Sequence, residues 1–506
     1  MTQEPTDTPP PTGTVLRARN GDVIGYDDTG LVMRLSDRVI GDIARRLGTP
    51  LPPQALTQMP LQIQDPAKQE LPVAALDPAV LGDIDAWNLR QSGEWYVFQA
   101  NLLGGHGVRQ YRKLVDPGNA EDSTHILADA PGALLGLLSI GGARAALALP
   151  RSAAFTYHIM APADDIGAVG MAGVEAAQTV SHLHKLREVT RDALLAEVLL
   201  TDRKANNRAI PLCMVRAETD NSASIANLAT GAAFANLMTA ARSLAASAER
   251  LHKPARVLCV RLDYSLEDVF STDIVYRDGL LVLLDQITTG LAGLGFHKPV
   301  FLANFDCGTQ DVSDHPALRA HGELAWNHAD HDLVFASPGY CFAQDNYGRP
   351  TPQGMQHMAE LEAQALTAIY DDTPWFCPTF LLAEREPGNV IRLRARAMGD
   401  LVLDAADPFG AGADCGFYLL GDTRGARIAS VRLDPTDRQD ILLGLEGEPG
   451  SDLQLCYALT APARGPGDPA GAYPAARGAV REVWQITAQD GTILHRWALP
   501  CVLNVH

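Results

Sequence analysis

The segment DNYGRPTPQGM, at Asp345–Met355, links two patterns that together identify a fold class. It follows the apolar run Leu333–Ala336, which is typical of a buried strand, and it precedes a helical pattern of apolar residues that extends to Ile369. A polar loop between a buried strand and an amphipathic helix is the repeating unit of an α/β fold. We therefore interpret Asp345–Met355 as the loop that closes a parallel sheet and opens the last helix of the domain.

Four further apolar runs precede this loop, and each is bounded by polar or turn residues. Helical patterns lie between them, and the clearest of these spans Phe234–Ala245. Buried strands that alternate with helices predict an α/β fold with a doubly wound, flavodoxin-like parallel sheet of roughly five strands, whose functional site lies at the carboxyl ends of the strands. The four runs are Ala154–Met160, Ile210–Val215, Val257–Leu262 and Val300–Ala303.

The regions on either side of this α/β pattern are rich in β signals. The N-terminal region has a hairpin signal at Asn20-Gly21 and includes the apolar run Ala133–Leu138. Past Trp375 the pattern changes to short runs in which apolar and polar residues alternate. Gly, Pro and Asp separate these runs, and the pattern predicts a β-sandwich. The predicted divisions are a flexible tail at 1–12, a β-rich attachment module at 13–150, the α/β domain at 151–375 and a candidate carbohydrate-binding β-sandwich at 376–506.

The bulk composition excludes several classes of function. The formal net charge of −19 over 506 residues opposes binding to nucleic acid or to an anionic membrane. The sequence lacks an apolar run of about eighteen residues, and the start MTQEP has neither the basic nor the apolar region of a signal peptide. Eight scattered cysteines without a C-x-x-C pair predict buried free thiols rather than a metal site. We therefore expect a protein that is made in the cytoplasm, does not insert into membranes and needs no cofactor.

Polar segments follow the predicted strands, and together they resemble the sequence blocks of the SGNH (GDSL-like) hydrolases. The resemblance is strongest to the esterase-like domains of phage tail fibres and related virion proteins. Ala163–Gly170 stands where the family has Gly-Gln-Ser-Leu-x-x-Gly with the nucleophilic serine. Glu218–Leu228 stands at the Gly-Gly-x-Ser block of the oxyanion site, and Val260–Ser265 at the block His/Gln-Gly-Glu-Ser/Ala-Asp.

The fourth block of the resemblance is the stretch Asp345–Met355. It is similar to the family's Asp-x-x-His-Leu-Thr-x-x-Gly when Thr351 and Gly354 are matched to the threonine and the glycine. This match places Asn346 at the family's aspartate and Arg349 at its histidine.

The residues at these positions do not supply the chemistry of a hydrolase. Hydrolysis needs a hydroxyl nucleophile, a base that takes its proton and a carboxylate that orients the base. Arg349 cannot act as the base because a guanidinium group stays protonated in proteins and has no acceptor for a further proton. Asp165 has no hydroxyl group. In the third block, Asp263 or Tyr264 stands where the family has its glycine and its polar Asn or Glu. Losses at several aligned positions indicate a non-catalytic descendant of the family.

Three rival catalytic sites are weaker. Ser139 lies in a strand-like run without the Gly-x-Ser-x-Gly spacing of a nucleophile elbow. His357 lies in the last helix, one turn past the position of the expected base. The segment His328–Asp332 could suggest a metal, but it falls between a helix and a strand, where a solvated loop is the simpler interpretation.

A hydrolase fold without its catalytic groups still presents a concave polar site at the strand ends. Its donors and acceptors suit hydroxyl-rich ligands, and the guanidinium of Arg349 is interpreted as a ligand contact rather than as a lost base. The alternative is that these side chains only satisfy one another across a collapsed pocket. The candidate ligand contacts are Asp165, Asn221, Asp263, Asn346 and Arg349.

The resemblance implies a non-catalytic fibre, spike or receptor-binding protein on the surface of a phage, or of a phage-like particle such as a gene transfer agent. Its implied partners are a host capsule or other surface polysaccharide, further virion proteins, and other copies of the same chain. Two alternatives stay open. One is an active SGNH carbohydrate O-acetylesterase with an unrecognised nucleophile, and the other is a purely structural particle component.

Overall fold

The computed structural model divides the chain into two compact units, Met1–Val73 and Ala74–His506. In the first unit it describes the backbone of three antiparallel strands, β1 (Gly13–Ala18), β2 (Gly21–Asp27) and β3 (Gly30–Met33). Ala18 pairs with Gly21, which confirms the predicted hairpin. In the second unit the described residues are 81–115, 126–263, 268, 271–305, 316–326, 330–345, 349–458 and 477–506.

A four-stranded antiparallel sheet opens the second unit. Its strands, in spatial order, are β4 (Ala86–Ser92), β5 (Trp95–Ala100), β6 (Arg109–Leu114) and β7 (Ile126–Ala128). The buried side chains of this sheet, such as Phe98 and Tyr111, belong to the same apolar core as Leu134 and Leu244 of the α/β domain. The sheet therefore packs directly on that domain.

A larger sheet of seven strands forms the centre of the described part of this unit. Its strands are β8 (Leu134–Gly141), β10 (Ile159–Pro162), β11 (Leu183–Lys185), β13 (Leu212–Thr219), β14 (Ala255–Asp263), β15 (Val300–Phe305) and β16 (Leu333–Pro338). Their order is β11-β10-β13-β8-β14-β15-β16, and all neighbours are parallel except β11 and β10. A short ladder joins β9 (Ala148–Leu149) to β12 (Val189–Thr190).

Helices cover both faces of this sheet. The described residues form α1 (Arg191–Ala205), α2 (Ile225–Leu228), α3 (Ala232–Arg250), α4 (Asp273–Gly293), α5 (Pro316–Leu324) and α6 (Pro352–Tyr370). Apolar residues of α3, α4 and α5 share a core with Leu138, and those of α1 and α6 share another with Leu137. Because successive side chains of a strand point to opposite faces, β8 is buried on both sides. The predicted doubly wound α/β fold is confirmed, with β13-β8-β14-β15-β16 as the flavodoxin-like order.

No helix in the described parts of the chain has the length and apolar character that crossing a membrane requires.

The central strand of the sheet differs from the sequence prediction. The run Ala133–Leu138 lies within the predicted attachment module, but β8 pairs in parallel with both β13 and β14. The predicted first strand, Ala154–Met160, overlaps only the start of β10, which lies on the far side of β13. An apolar run does not reveal its pairing partners, because these are decided by contacts with distant segments. The central strand thus precedes residue 151, the predicted start of the α/β domain.

The C-terminal strands form a β-sandwich-like assembly of antiparallel sheets around one apolar core, as the alternation pattern predicts. The strands are β17 (Thr379–Glu386), β18 (Val390–Arg396), β19 (Leu401–Leu403), β20 (Phe417–Gly421), β21 (Arg427–Leu433), β22 (Asp440–Glu446), β23 (Leu453–Tyr457), β24 (Val480–Thr487), β25 (Ile493–Trp497) and β26 (Cys501–Asn504). They pair in the orders β17-β18-β22-β21, β19-β24-β25 and β20-β23-β26.

The sandwich docks on α6 and on the segment that follows β16. Phe342 and Met358 pack against Leu494 of β25. The hydroxyl of Tyr340 donates a hydrogen bond to the carbonyl of Ala498 at 2.7 Å. The two domains therefore share a buried interface beside the loop that opens α6.

Candidate functional site

The carboxyl edge of the central sheet is where this fold predicts a functional site. The ends of β8, β10, β13, β14 and β16 meet there because these strands are parallel. Four of the five predicted contacts, Asp165, Asn221, Asp263 and Arg349, follow or end these strands. The fifth, Asn346, lies outside the described residues.

β8 ends at Gly141 and is followed by Gly142 and Ala143, three residue types that carry no hydroxyl group. β8 is the first strand of the flavodoxin-like order, so its end is where the resemblance would place the nucleophile. The segment Ala163–Gly170, which the sequence analysis matched to that block, instead follows β10. A Cβ atom added at Gly141 would lie 2.4 Å from the carbonyl oxygen of Asp263. The ends of β8 and β14 are therefore in close contact.

Ser139, in β8, is fully buried. Its hydroxyl donates a hydrogen bond to Oδ2 of Asp192 at 2.8 Å and accepts one from Nη2 of Arg261 at 3.2 Å. A nucleophilic serine needs a neighbouring base that can take its proton. Asp192 is committed to an ion pair with Arg261, so the hydroxyl of Ser139 acts as a structural hydrogen-bond partner.

Five charged side chains form a buried network between α1, β14 and α6. Nε of Arg261 donates to Oδ1 of Asp192 at 3.0 Å, and Nη1 of Arg261 binds Asp263. Nη2 of Arg191 donates to Oδ1 of Asp263 at 2.7 Å, and Nε of Arg191 lies 3.3 Å from Oε1 of Glu362. The most exposed of the five side chains, that of Asp263, is 7% exposed. We call these five residues the carboxyl-edge network.

The carboxyl-edge network contains three carboxylates and two guanidinium groups. Burial raises the pKa of Glu362, and Arg191 and Arg261 offset this only in part. Burial also opposes ionisation of Asp263, but the same two arginines outweigh it and hold the pKa of Asp263 below its ordinary value. Oε2 of Glu362 has no hydrogen-bond partner within the described residues, whereas Oε1 accepts from Asn304 at 3.0 Å. Of the carboxyl groups of Asp263 and Glu362, that of Glu362 therefore binds a proton more readily.

A second buried network holds the loop that follows β10. Nε of Arg216 donates to Oε1 of Glu218 at 2.7 Å, and Nη1 donates to Oδ1 of Asp164 at 3.2 Å and to the carbonyl of Gly167. A Cβ atom added at Gly170 would lie 2.0 Å from Oε2 of Glu218. Burial raises the pKa of Glu218 despite the neighbouring guanidinium. The ion pairs of Arg216 therefore hold this loop in place.

Asp165 lies in the same loop but outside the buried network. Its backbone has a φ of +63°, a conformation that non-glycine residues rarely adopt. Its side chain is 89% exposed and forms a loose ion pair with Nη2 of Arg187 at 3.9 Å. Asp165 therefore faces solvent at the rim of the carboxyl edge.

Asn221 follows β13 in a tight polar turn. Oδ1 of Asp220 accepts hydrogen bonds from the backbone amide of Ser222 at 2.9 Å and from its hydroxyl at 2.8 Å. This arrangement is typical of an Asx turn, and it leaves the side chain of Asn221 exposed. Asn221 is thus a second rim residue.

Arg349 is anchored to the loop that carries it. Its backbone amide donates to Oδ1 of Asp345 at 3.0 Å, and its Nε donates to Oδ2 at 2.8 Å. The pair lies at the surface, since the side chains of Arg349 and Asp345 are 47% and 35% exposed. The guanidinium is therefore a fixed, solvent-facing cation.

Thr351 and Gly354, which anchored the motif match, have structural roles. Thr351 is the N-cap of α6, and its Oγ1 accepts a hydrogen bond from the amide of Gly354 at 3.1 Å. The amide of Thr351 donates to the carbonyl of Ala343 at 2.9 Å, and a Cβ atom on Gly354 would lie 2.6 Å from the same oxygen. The loop geometry that starts the last helix thus needs these two residues whether or not the site is catalytic.

The rival histidines take part in packing contacts. Nε2 of His357 lies 2.9 Å from Oδ2 of Asp490, which joins α6 to the β24–β25 hairpin. Nε2 of His331 lies 2.9 Å from Oδ1 of Asp285. His328 lies outside the described residues, and the described residues contain no group of side chains that could hold a metal ion.

The carboxyl edge therefore has buried ion pairs beneath an exposed polar rim. Asp165, Asn221 and Arg349 lie on the rim, whereas the carboxylate of Asp263 is buried beneath it and bound to arginine. The ligand-binding role of these residues stays a prediction. Arg216 and Arg261 are not among the predicted site residues, although a charged residue inside an apolar strand run is a signal of a buried ion pair.

The fold and this site define an α/β protein with a mostly parallel central sheet and β-rich flanks. Comparisons with known structures gave distant similarities. A carbohydrate acetylesterase from Xanthomonas citri is 15% identical over 82% of this chain and 86% of that one, with a TM-score of 0.47. A tail fibre protein from an E. coli phage is 12% identical over 64% of this chain and 34% of that one, with a TM-score of 0.30. No family model and no curated protein matches the chain.

Proposed function

We propose that this chain is a non-catalytic fibre, spike or receptor-binding component of a phage-like particle, and that it binds a host capsule or other surface polysaccharide. The particle context, including further virion proteins and other copies of the chain as partners, rests on the resemblance of the sequence to esterase-like virion domains. The proposed mode of binding rests on the geometry of the carboxyl edge.

The carboxyl-edge network is the observation that carries the proposal. A hydrolase of this fold needs a hydroxyl, a base and an orienting carboxylate within hydrogen-bonding reach of one another. In this chain the buried carboxylates are held by Arg191 and Arg261, and the pKa of a guanidinium is too high for it to accept a proton. Gly141, the last residue of β8, supplies no hydroxyl, and Arg349 stands where the base is expected. These features favour binding over hydrolysis.

The spacing of the exposed rim favours a polymer as the ligand. Asp165 follows β10 and Arg349 follows β16, and five strand spacings separate these strands in the order β10-β13-β8-β14-β15-β16. At about 4.8 Å per spacing, the strand ends are roughly 24 Å apart. Asn221, which follows β13, lies between them. A chain of several sugar units can contact a rim of this length, whereas a single acetylated sugar cannot.

The test of binding compares the wild-type protein with Arg349→Ala on a glycan array and on immobilised capsular polysaccharide. We expect the variant to bind at least about tenfold more weakly, because a hydrogen bond from a charged donor contributes roughly 1.5–3 kcal/mol. Arg424→Ala is the matched control, since Arg424 forms a similar exposed pair with Asp422 on the sandwich. Failure of the wild-type protein to bind any surface polysaccharide would sink the proposal.

The test of catalysis exposes the protein to p-nitrophenyl acetate and to a fluorophosphonate probe. We expect neither hydrolysis above that of the heat-denatured protein nor labelling of a serine. A labelled serine would favour the alternative of an active carbohydrate O-acetylesterase. Its position, found by peptide mass spectrometry, would identify the nucleophile.

The remaining alternative is a purely structural particle component. It would be favoured if the protein binds no polysaccharide but is recovered from purified particles at a fixed number of copies. Native mass spectrometry of the isolated chain measures the expected homo-oligomer directly. Loss of glycan binding in Arg349→Ala, with the oligomer intact, would support the receptor-binding role over the structural one.

A further inference from the structure

A cavity of about 570 Å³ opens at the amino edge of the central sheet, opposite the carboxyl edge. The first residues of β8, β13 and β14 line it together with the last turns of α1 and α6. Its apolar lining includes Leu135, Leu199 and Leu258, which are partly exposed. Small-molecule sites typically have volumes of about 300–1,000 Å³, so this cavity is large enough for an organic ligand.

Three arginines surround this amino-edge cavity: Arg203, Arg208 and Arg256. Nε of Arg203 donates to the carbonyl of Ala209 at 2.7 Å, and the guanidinium of Arg256 lies 4.8 Å from the ring centre of Tyr370. Within the described residues, none of the three arginines forms an ion pair. In a chain with 60 acidic and 41 basic residues, three arginines around one cavity that pair with no carboxylate of the described residues favour an anionic ligand.

The surroundings limit how much negative charge such a ligand can carry. Asp202 and Asp371 also line the cavity. The carboxyl ends of α1 and α6 lie at the same edge, and each carries a partial negative charge of roughly half a unit. These negative groups do not block the hydrogen-bond donors of the arginines, but they make the electrostatic potential in the cavity less positive. The cavity therefore suits a single carboxylate or sulfonate better than a polyphosphate.

We propose that the amino-edge cavity binds a small organic monoanion with an apolar body. The apolar body packs against Leu135, Leu199 and Leu258, and the anionic group accepts hydrogen bonds from Arg208 and Arg256. Because this cavity and the carboxyl edge are at opposite ends of the strands, the inference does not depend on polysaccharide binding.

The test measures binding of 2-naphthoate and of its uncharged isostere 2-naphthamide by isothermal titration calorimetry. We expect 2-naphthoate to bind at least about tenfold more tightly, since only the carboxylate pairs with the arginines. The double variant Arg208→Gln with Arg256→Gln is expected to lose this advantage while binding of 2-naphthamide stays unchanged. Arg90→Gln is the control, because Arg90 is an exposed arginine of β4, away from the cavity.

A second variant tests the cavity itself. Leu199→Trp fills the apolar part and is expected to abolish binding of both ligands, while a thermal melt checks that the protein remains folded. The inference is overturned if wild-type protein binds neither ligand, if it binds both equally, or if Arg90→Gln weakens binding as much as the double variant does. If Leu199→Trp fails to fold, the comparison of the two ligands in the double variant still decides the question.

Discussion

The two edges of the central sheet use arginine in opposite ways. At the carboxyl edge, Arg216 and Arg261 are 1% and 0% exposed, and each pairs with two carboxylates. At the amino edge, Arg208 and Arg256 are exposed and form no ion pair within the described residues. A charge that is removed from water needs a partner, whereas a solvated charge can stay available to a ligand. Residue type alone therefore does not separate a structural arginine from a candidate binding residue.

Disruption of the carboxyl-edge network is expected to have the strongest effect on stability. Arg261→Met should reduce the free energy of unfolding by about 3–5 kcal/mol, because it leaves Asp192 and Asp263 buried without their shared cation. Urea unfolding followed by circular dichroism measures this loss. Arg424→Met is the control, since Arg424 is exposed and its loss should have little effect. A loss below about 1 kcal/mol for Arg261→Met would show that the network is accessible to water.

A smaller effect, with a defined dependence on pH, is expected for Glu362→Gln. The pKa of Glu362 is raised in the folded protein, so the folded state holds the proton more tightly than the unfolded state does. The contribution of Glu362 to the stability of the wild-type protein is therefore present below the pKa of this group in the unfolded state. It is lost as the pH rises through the pKa of the group in the folded state. The neutral isostere does not suffer this loss. Each unit by which the pKa is higher in the folded state corresponds to about 1.4 kcal/mol in the free energy of unfolding.

The comparison of Glu362→Gln with wild type is made by urea unfolding at pH 4 and at pH 8. We expect the variant to gain stability relative to wild type as the pH rises. Glu446→Gln serves as the control, because Glu446 forms an exposed pair with Arg427. Parallel stability curves for wild type and Glu362→Gln would contradict a raised pKa of Glu362 in the folded protein.

The strands of the sheet could be predicted from sequence, but their order could not. The starts of β13, β14, β15 and β16 lie within two residues of the predicted runs. These runs are local signals, because a strand that is buried on both faces reads as a continuous apolar segment. The position of β8 at the centre depends on pairing with segments far along the chain, and no local pattern records that pairing.

The same limit applies to the candidate site. Asp165 and Asp263 are both acidic residues near the end of a predicted strand, yet their side chains are 89% and 7% exposed. The difference arises because β14 lies next to the central strand and meets Arg191 of α1, whereas β10 lies near the edge of the sheet. Asp192 and Arg261 are 69 positions apart in the chain. Contacts over such distances follow from strand order rather than from spacing in the sequence.

The weakest effect on stability is expected for the arginines of the amino edge. The double variant Arg208→Gln with Arg256→Gln should change the free energy of unfolding by no more than about 0.5 kcal/mol, because exposed arginines without ion pairs contribute little to stability. At a 2-naphthoate concentration of about 100 times its Kd, wild-type protein should gain roughly 2.7 kcal/mol, and the double variant should gain far less. Thermal and urea unfolding with and without the ligand measure both quantities. If the double variant without ligand lost as much stability as Arg261→Met, the amino-edge arginines would be structural, and the contrast between the edges would fail.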